Sequence, residues 1–299
     1  MGPDSTRPTT VPGYAGRPIT KAPNWHGPVT LDLLFNNLST GLFLVTALGE
    51  LVAPASFRPL ASVAYPIALL FLIGDLVCLV LDLGDPARFH HMLRLWKPSS
   101  PMSLGVWVLS AYAIPLTLLT LGSLLPGIGG AGVAVVRRLL LVVGLMLAAA
   151  TAVYKGVLFS TTAQRGWGDA RWLGGYLINS ALVLGAAEGL LIATVAGQPA
   201  AAIALRLALR LLLLLNLVAL VLLLRDIRGP LSQARRVWVL TLAGALAVLG
   251  GILVPLWLLA RDAPSALAAP LLLILLGAVV VRHEIVRLPH ALGQAARGG

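Results

Sequence analysis

The chain has 299 residues, of which 58% are hydrophobic and only 11% charged, and its mean hydropathy is +0.92. This excludes a water-exposed surface over most of the length and points to an integral membrane protein. The net charge of +11 comes from Lys and Arg lying between apolar runs, which suits anionic lipid headgroups and a docked partner and not nucleic acid; the single cysteine, Cys78, excludes a disulfide framework, a cysteine-ligated zinc site and an iron–sulfur cluster held by this chain alone.

Residues 1–27 are polar and carry Pro3, Pro8, Pro12, Pro18 and Pro23, which block helix, so they are expected to form an irregular arm with Trp25 at the interface. They lack the apolar core of a cleavable signal peptide. Eight apolar runs follow, at 28–52, 60–83, 102–125, 133–163, 170–196, 200–224, 236–260 and 264–287. Each is near the ~20 residues that cross a bilayer, and in lipid each must be a helix because a spanning segment has to satisfy its own backbone. The expected fold is therefore all-α: an eight-helix transmembrane bundle over 28–287 with short loops and a tail at 288–299.

An even number of spans puts both termini on one face. That face collects most of the basic residues, among them Arg88, Arg94, Lys97, Arg171, Arg225, Arg282 and Arg287, with Lys155 just inside it. The other face holds Arg58, Arg137, Arg138, Arg206, Arg210 and Arg261. The positive-inside rule makes the first face cytoplasmic, although a partner docked on a basic platform would produce the same bias.

Charges inside a span each cost roughly 2.5 to 3.5 kcal/mol on insertion scales, so they call for a reason. Glu50, Asp75, Asp82 and Glu188 lie at staggered depths and would serve as a proton route. Alternatively, Asp82 caps a turn while Asp75 and Glu188 are hydrogen-bonded between helices. Asn36, Asn37, Ser39 and Thr40 form a polar cluster in the first span, suited to a ligand or to holding helices together. Tyr154-Lys155-Gly156 ends the fourth span, and an aromatic belt accounts for Trp167 and Trp172 after it. The histidines, His26, His90, His91, His283 and His290, fall at span ends or in loops, which opposes a di-haem cytochrome.

These residues fall into a pattern. Tyr14-Ala-Gly-Arg-Pro with Lys21, Pro23 and Trp25, the polar start of the first span through Gly41, Asp82-Leu-Gly-Asp-Pro-Ala-Arg-Phe89, Ser100-Pro-Met-Ser-Leu-Gly-Val-Trp107, and Tyr154 with Gly156 before Trp167 occur in order, with a weaker piece at Gly250 to Pro255. In this the sequence resembles the NrfD/PsrC family, membrane subunits of polysulfide reductase-like quinone oxidoreductases. The Asp82 and Ser100 segments around one loop are the specific part.

The resemblance implies a haem-free subunit without metal ligands or iron–sulfur clusters of its own. It would bind a quinone, of the menaquinone kind, near the loop after the second span. A ferredoxin-like iron–sulfur protein with several clusters would dock there, itself bound to a molybdopterin or other catalytic subunit. Carried over by position, the quinone pocket involves Asn36, Asn37, Thr40, Asp82, Arg88 and Tyr154, while Arg88, Arg94 and Lys97 face the partner. Two departures stand out: Asn36-Asn37 where the family is richer in glycine, and Lys155 where it usually has a small polar residue.

The function so implied is a quinone-reactive anchor in the bacterial cytoplasmic membrane, one component of a larger enzyme. A secondary transporter is the alternative from another class, and it would carry an inverted repeat that spans one to four and five to eight do not show. A third reading is a quinone-inactive anchor coupled to an ion-pumping partner.

Overall fold

The structure is a computed structural model that describes residues 27–295 apart from 84, 95, 126–129, 163, 165, 233–236 and 262–266; for 237–239 and 293–295 it describes the backbone alone. Apart from Gly27, the expected N-terminal arm lies outside the described residues.

Among these residues all regular structure is helical. The helices are α1 (Gly27–Val52), α2 (Pro54–Leu81), α3 (Pro101–Leu124), α4 (Ala131–Ser160), α5 (Leu173–Val195), α6 (Pro199–Ser232), α7 (Val237–Val248), α8 (Val254–Ala260) and α9 (Ala268–Ala295). A 3-10 segment, Pro86–Arg94, joins α2 to α3, and a π turn, Leu249–Leu253, joins α7 to α8 into one span. Eight segments are long and apolar enough to cross a bilayer, so the chain is an all-α, multi-pass integral membrane protein.

The helix at the centre is also the least apolar. The most apolar window of α1 has a mean hydropathy of 1.4 and is 78% buried inside the protein; that of α6 has 2.8 and is 28% buried. The inverse relation follows from what each helix faces. Lipid demands Leu207, Leu211 and Leu215 on α6, all of them exposed, whereas a helix wrapped in protein can carry polar groups that neighbouring helices satisfy. α1 packs against α2, α4, α5 and α9. Its crossing with α5 is tight because neither Gly41 nor Gly185 has a side chain. A Cβ on Gly41 would lie 1.8 Å from the Ala181 carbonyl oxygen, and one on Gly185 would lie 2.0 Å from the Gly41 carbonyl carbon.

Several helices outrun their expected ends. α2 begins directly after Ala53, with Pro54 in its first turn where the missing N–H costs nothing. α6 has 34 residues, about 51 Å at 1.5 Å per residue, and so projects past a hydrocarbon core of ~30 Å. Its extension is tied down by the Asp226 carboxylate, which accepts from the Trp172 backbone N–H at 2.9 Å. α9 continues to Ala295 through most of the residues expected as a tail, so His290 lies within a helix and not in the tail, and His283, expected at a span end, falls well inside α9. Trp167, expected in an interfacial belt, is instead buried and donates its indole N–H to the Ile285 carbonyl at 2.7 Å. Trp172 is exposed, as a belt residue would be. In the seventh span, Pro255 lacks an N–H and its ring crowds the preceding turn; the widened π turn at Gly250-Gly251 absorbs the mismatch.

Candidate functional site

α2 ends at Leu81 with Asp82 at its C-cap, and the chain crosses to α3 through the largely exposed 3-10 segment Pro86–Arg94 before Ser100 caps the new helix. The Ser100 side-chain oxygen accepts from the Ser103 backbone N–H at 3.5 Å, with Pro101 in the first turn. Beneath this connection, α1 to α4 enclose a cavity of about 180 Å³. Its walls are apolar, with Val29, Leu79, Met102, Val106 and Leu158, and its polar groups are Asp32, Asp82, Tyr154 and Lys155. Gly105 makes room for the tyrosine: a Cβ there would lie 2.3 Å from Tyr154 Cε2. The glycine of the Ser100–Trp107 segment is therefore required by the Tyr154 ring.

Below the cavity lies a buried ionic cluster. Lys155 Nζ on α4 sits 2.5 Å from Asp75 Oδ1 on α2 and 2.8 Å from Asp32 Oδ1 on α1, and donates to the Asp32 carbonyl at 3.1 Å. Asp75 Oδ2 accepts from Asn36 Nδ2 at 3.0 Å. The next residue along α1, Asn37, serves a second buried cation. Arg282 of α9, expected at the basic face, is fully buried and donates to Asn37 Oδ1, to Ser180 Oγ at 3.1 Å and to the carbonyls of Ala278 and Leu33 at 2.9 and 3.4 Å. Among the described residues no carboxylate lies within ion-pair distance of Arg282. Two acids and two cations thus flank one stretch of α1, held to its successive carbonyls at Asp32 and Leu33. Their formal charges cancel, as a bilayer interior requires.

A third cluster lies at the opposite ends of α1 and α2. Glu50 accepts from Arg137 Nε and Nη2 at 2.5 and 2.9 Å and from the Tyr65 hydroxyl at 2.9 Å. Arg58 Nε stands 3.7 Å from the same carboxylate. Between the clusters the Tyr112 hydroxyl meets Ser39 Oγ at 3.2 Å. The Phe43 ring packs against both Tyr65 and Tyr112, with centroids 5.5 Å apart in each case. Both Glu188 carboxylate oxygens are buried without a hydrogen-bond partner among the described residues.

The residues proposed from sequence therefore separate by depth. Asp82 and Tyr154 line the cavity. Asn36, Asn37 and Thr40 lie behind it: Asn36 Nδ2, Asn37 Oδ1 and Thr40 Oγ1 are engaged by the protein, Thr40 Oγ1 donating to the Asn36 carbonyl at 2.7 Å, while Asn36 Oδ1 is buried without a hydrogen-bond partner among the described residues. Arg88, Arg94 and Lys97 are exposed in the α2–α3 connection, and Arg88 Nε pairs with Asp85 at 3.1 Å. Of the four acids, Glu50 and Asp75 are paired with cations, Asp82 borders the cavity and Glu188 stands apart. Sequence reasoning passed over Asp32, a fifth acid, whose spacing of four from Asn36 was the available signal. It also passed over Arg137, Tyr65 and Tyr112, for which no local pattern existed.

Fold and site together define a polytopic membrane protein with a polar-ended cavity at one membrane face and compensated charges in its core. The chain belongs to the polysulphide reductase NrfD family, which matches residues 20–288. It is also similar to a selenate reductase subunit of Mesobacillus selenatarsenatis, 28% identical over 101 residues. That match spans 34% of this chain and 23% of the relative's length.

Proposed function

We propose that this chain is the membrane-anchoring, quinone-reactive subunit of a multisubunit oxidoreductase in a bacterial cytoplasmic membrane. It exchanges electrons between an iron–sulfur partner and a quinone of the menaquinone type, and the complex is completed by a molybdopterin protein or other catalytic partner. The observation that carries this reading is the cavity beneath the α2–α3 connection, with apolar walls and convergent polar groups at one end. Its volume of about 180 Å³ is below the ~300–1,000 Å³ of sites for drug-sized ligands, which suits a planar ring head whose tail stays in lipid. Family membership and the relative's name, a subunit of a reductase, support the assignment of partners.

A bound quinone supplies two-electron, two-proton redox chemistry. The residues of this chain supply the rest. The Tyr154 hydroxyl donates to a ring carbonyl, and Asp82, at the membrane edge, exchanges the proton. Lys155 and Asp32 form the charged floor, which Asn36 steadies through Asp75. Asn37 and Thr40 hold α1 in register behind them. Asp75, Glu188 and Glu50 extend the proton route inward from Asp82. Arg88, Arg94 and Lys97, exposed beside Phe89 and Trp96, have the aromatic and cationic character of a protein interface and receive the iron–sulfur protein.

The test uses the assembled complex purified with Tyr154→Phe or Asp82→Asn. Quinone turnover should fall about tenfold for the tyrosine, the equivalent of one hydrogen bond. For the aspartate it should fall roughly 10²-fold or more, as for a lost general acid–base group. Both complexes should still copurify intact. Wild-type turnover in both variants would remove the pocket.

A further inference from the structure

A second and larger cavity, of about 540 Å³, opens between α2, α3 and α4 at the membrane face opposite the α2–α3 connection. Its walls include Leu118, Leu119, Val133, Val136 and Leu140, and its charged groups are Arg58 and Arg137. We propose that it binds the phosphodiester headgroup of an anionic phospholipid.

Three observations carry the proposal. The first is charge. Glu50, the carboxylate that both guanidinium groups approach, cannot neutralise two of them, so the cluster keeps one net positive charge at the edge of the bilayer. The second is hydrogen-bonding capacity. Arg137, whose side chain is 14% exposed, commits Nε and Nη2 to Glu50, leaving Nη1, while Arg58 only grazes Glu50 at 3.7 Å and its side chain is 61% exposed. Guanidinium groups present paired donors that match two phosphate oxygens. The hydroxyls of Ser62 and Ser123 also line the cavity, but they donate to the carbonyls of Pro59 and Leu119 within their own helices, so recognition falls to the arginines. The third is the wall. It pairs this cationic rim with leucine and valine on helices that face lipid, as acyl chains below a headgroup require. A free anion would have no use for that surface.

Tyr65 and Glu50 fix the Arg137 end. The Tyr65 hydroxyl holds Glu50, and the Arg137 guanidinium stands 5.9 Å from the Tyr65 ring centroid. Half of the phosphate clamp is thereby organised before lipid arrives, and Arg58 is the arm that closes on it.

The experiment is native mass spectrometry of the complex after exchange from nanodiscs of phosphatidylcholine containing about one-fifth phosphatidylglycerol. Wild type should retain phosphatidylglycerol in preference to phosphatidylcholine, and Arg58→Gln should lower that retention about fivefold, the contribution of one basic residue at a lipid surface. Arg58→Lys should restore part of it. Because Arg58 is exposed, its removal leaves the buried Glu50–Arg137 pair intact and the protein folded. Equal retention of both lipids overturns the proposal, as does retention unaffected by Arg58→Gln. So does displacement of the lipid by millimolar inorganic phosphate, which would mark a site for the free ion, or another protein of the purified complex found to occupy the cavity.

Discussion

Lys155 of α4 reaches across the bundle to Asp75 of α2, 2.5 Å from Nζ to Oδ1, and brings Asp32 of α1 into the same contact. Three helices are therefore joined by one ammonium group with 3% of its side chain exposed. Removing one partner of a buried pair leaves an uncompensated charge, at a cost of about 3–5 kcal/mol.

Lys155→Met should accordingly destabilise the bundle by that amount, since two buried carboxylates would face each other without a cation. The double variant Lys155→Met with Asp75→Asn should recover most of the loss. Thermal unfolding of the purified complex checks both. Equal stability of Lys155→Met and wild type would mean that the cluster contributes nothing to folding.

Gly105→Ala separates the cavity from the helix that carries it. Alanine is the better helix former by about 1 kcal/mol, yet its Cβ would fall 2.3 Å from the Tyr154 ring. Quinone turnover should drop as the ring is displaced, while the complex still assembles. Unchanged turnover would show that the position of Tyr154 does not matter.

Much of this arrangement was legible in the sequence, for definite reasons. Apolar length fixes the spans, and the chemistry of Ser100-Pro101 fixes the start of α3 to within a residue. Asn36 and Thr40 are four residues apart and so share one side of α1, where Thr40 bonds the Asn36 backbone. Helix ends were harder to place. Arg225 and Arg228 look like loop residues, but α6 carries them beyond the membrane, and the anchor for that extension, Trp172 to Asp226, joins residues 54 apart in the chain. Arg282 was read as a surface charge because its buried partners come from α1 and α5, and no local pattern announces them. Nothing in the sequence marks Tyr65 and Tyr112, since their hydroxyl partners, Glu50 and Ser39, sit on α1.

Glu188 tests the proposed proton route separately from the pocket. Its carboxylate oxygens are buried and make no hydrogen bond among the described residues, and leaving such a group unsatisfied costs about 1–3 kcal/mol. Glu188→Leu should therefore unfold at a temperature at least as high as wild type while abolishing any quinone-linked acidification in proteoliposomes. Intact proton movement in that variant would remove Glu188 from the route.

Gly41→Leu should be the most damaging change outside the charged clusters. The α1–α5 crossing leaves no space at this residue, and separating the two helices would expose the polar seam of α1. Overpacking typically costs about 1–3 kcal/mol and occasionally more; here loss of the folded complex on size-exclusion chromatography is expected. A stable, monodisperse Gly41→Leu complex would contradict the crossing.

Photolabelling of the assembled complex with an azido-quinone, followed by peptide mapping, tests the location of the quinone site most directly. The expected label falls on the segments that wall the cavity, around Met102 and Val106 of α3 and Leu158 of α4, and it is lost in the presence of excess unlabelled quinone. Displaceable label confined to α6 through α9, with none on α3 or α4, would contradict a quinone site beneath the α2–α3 connection.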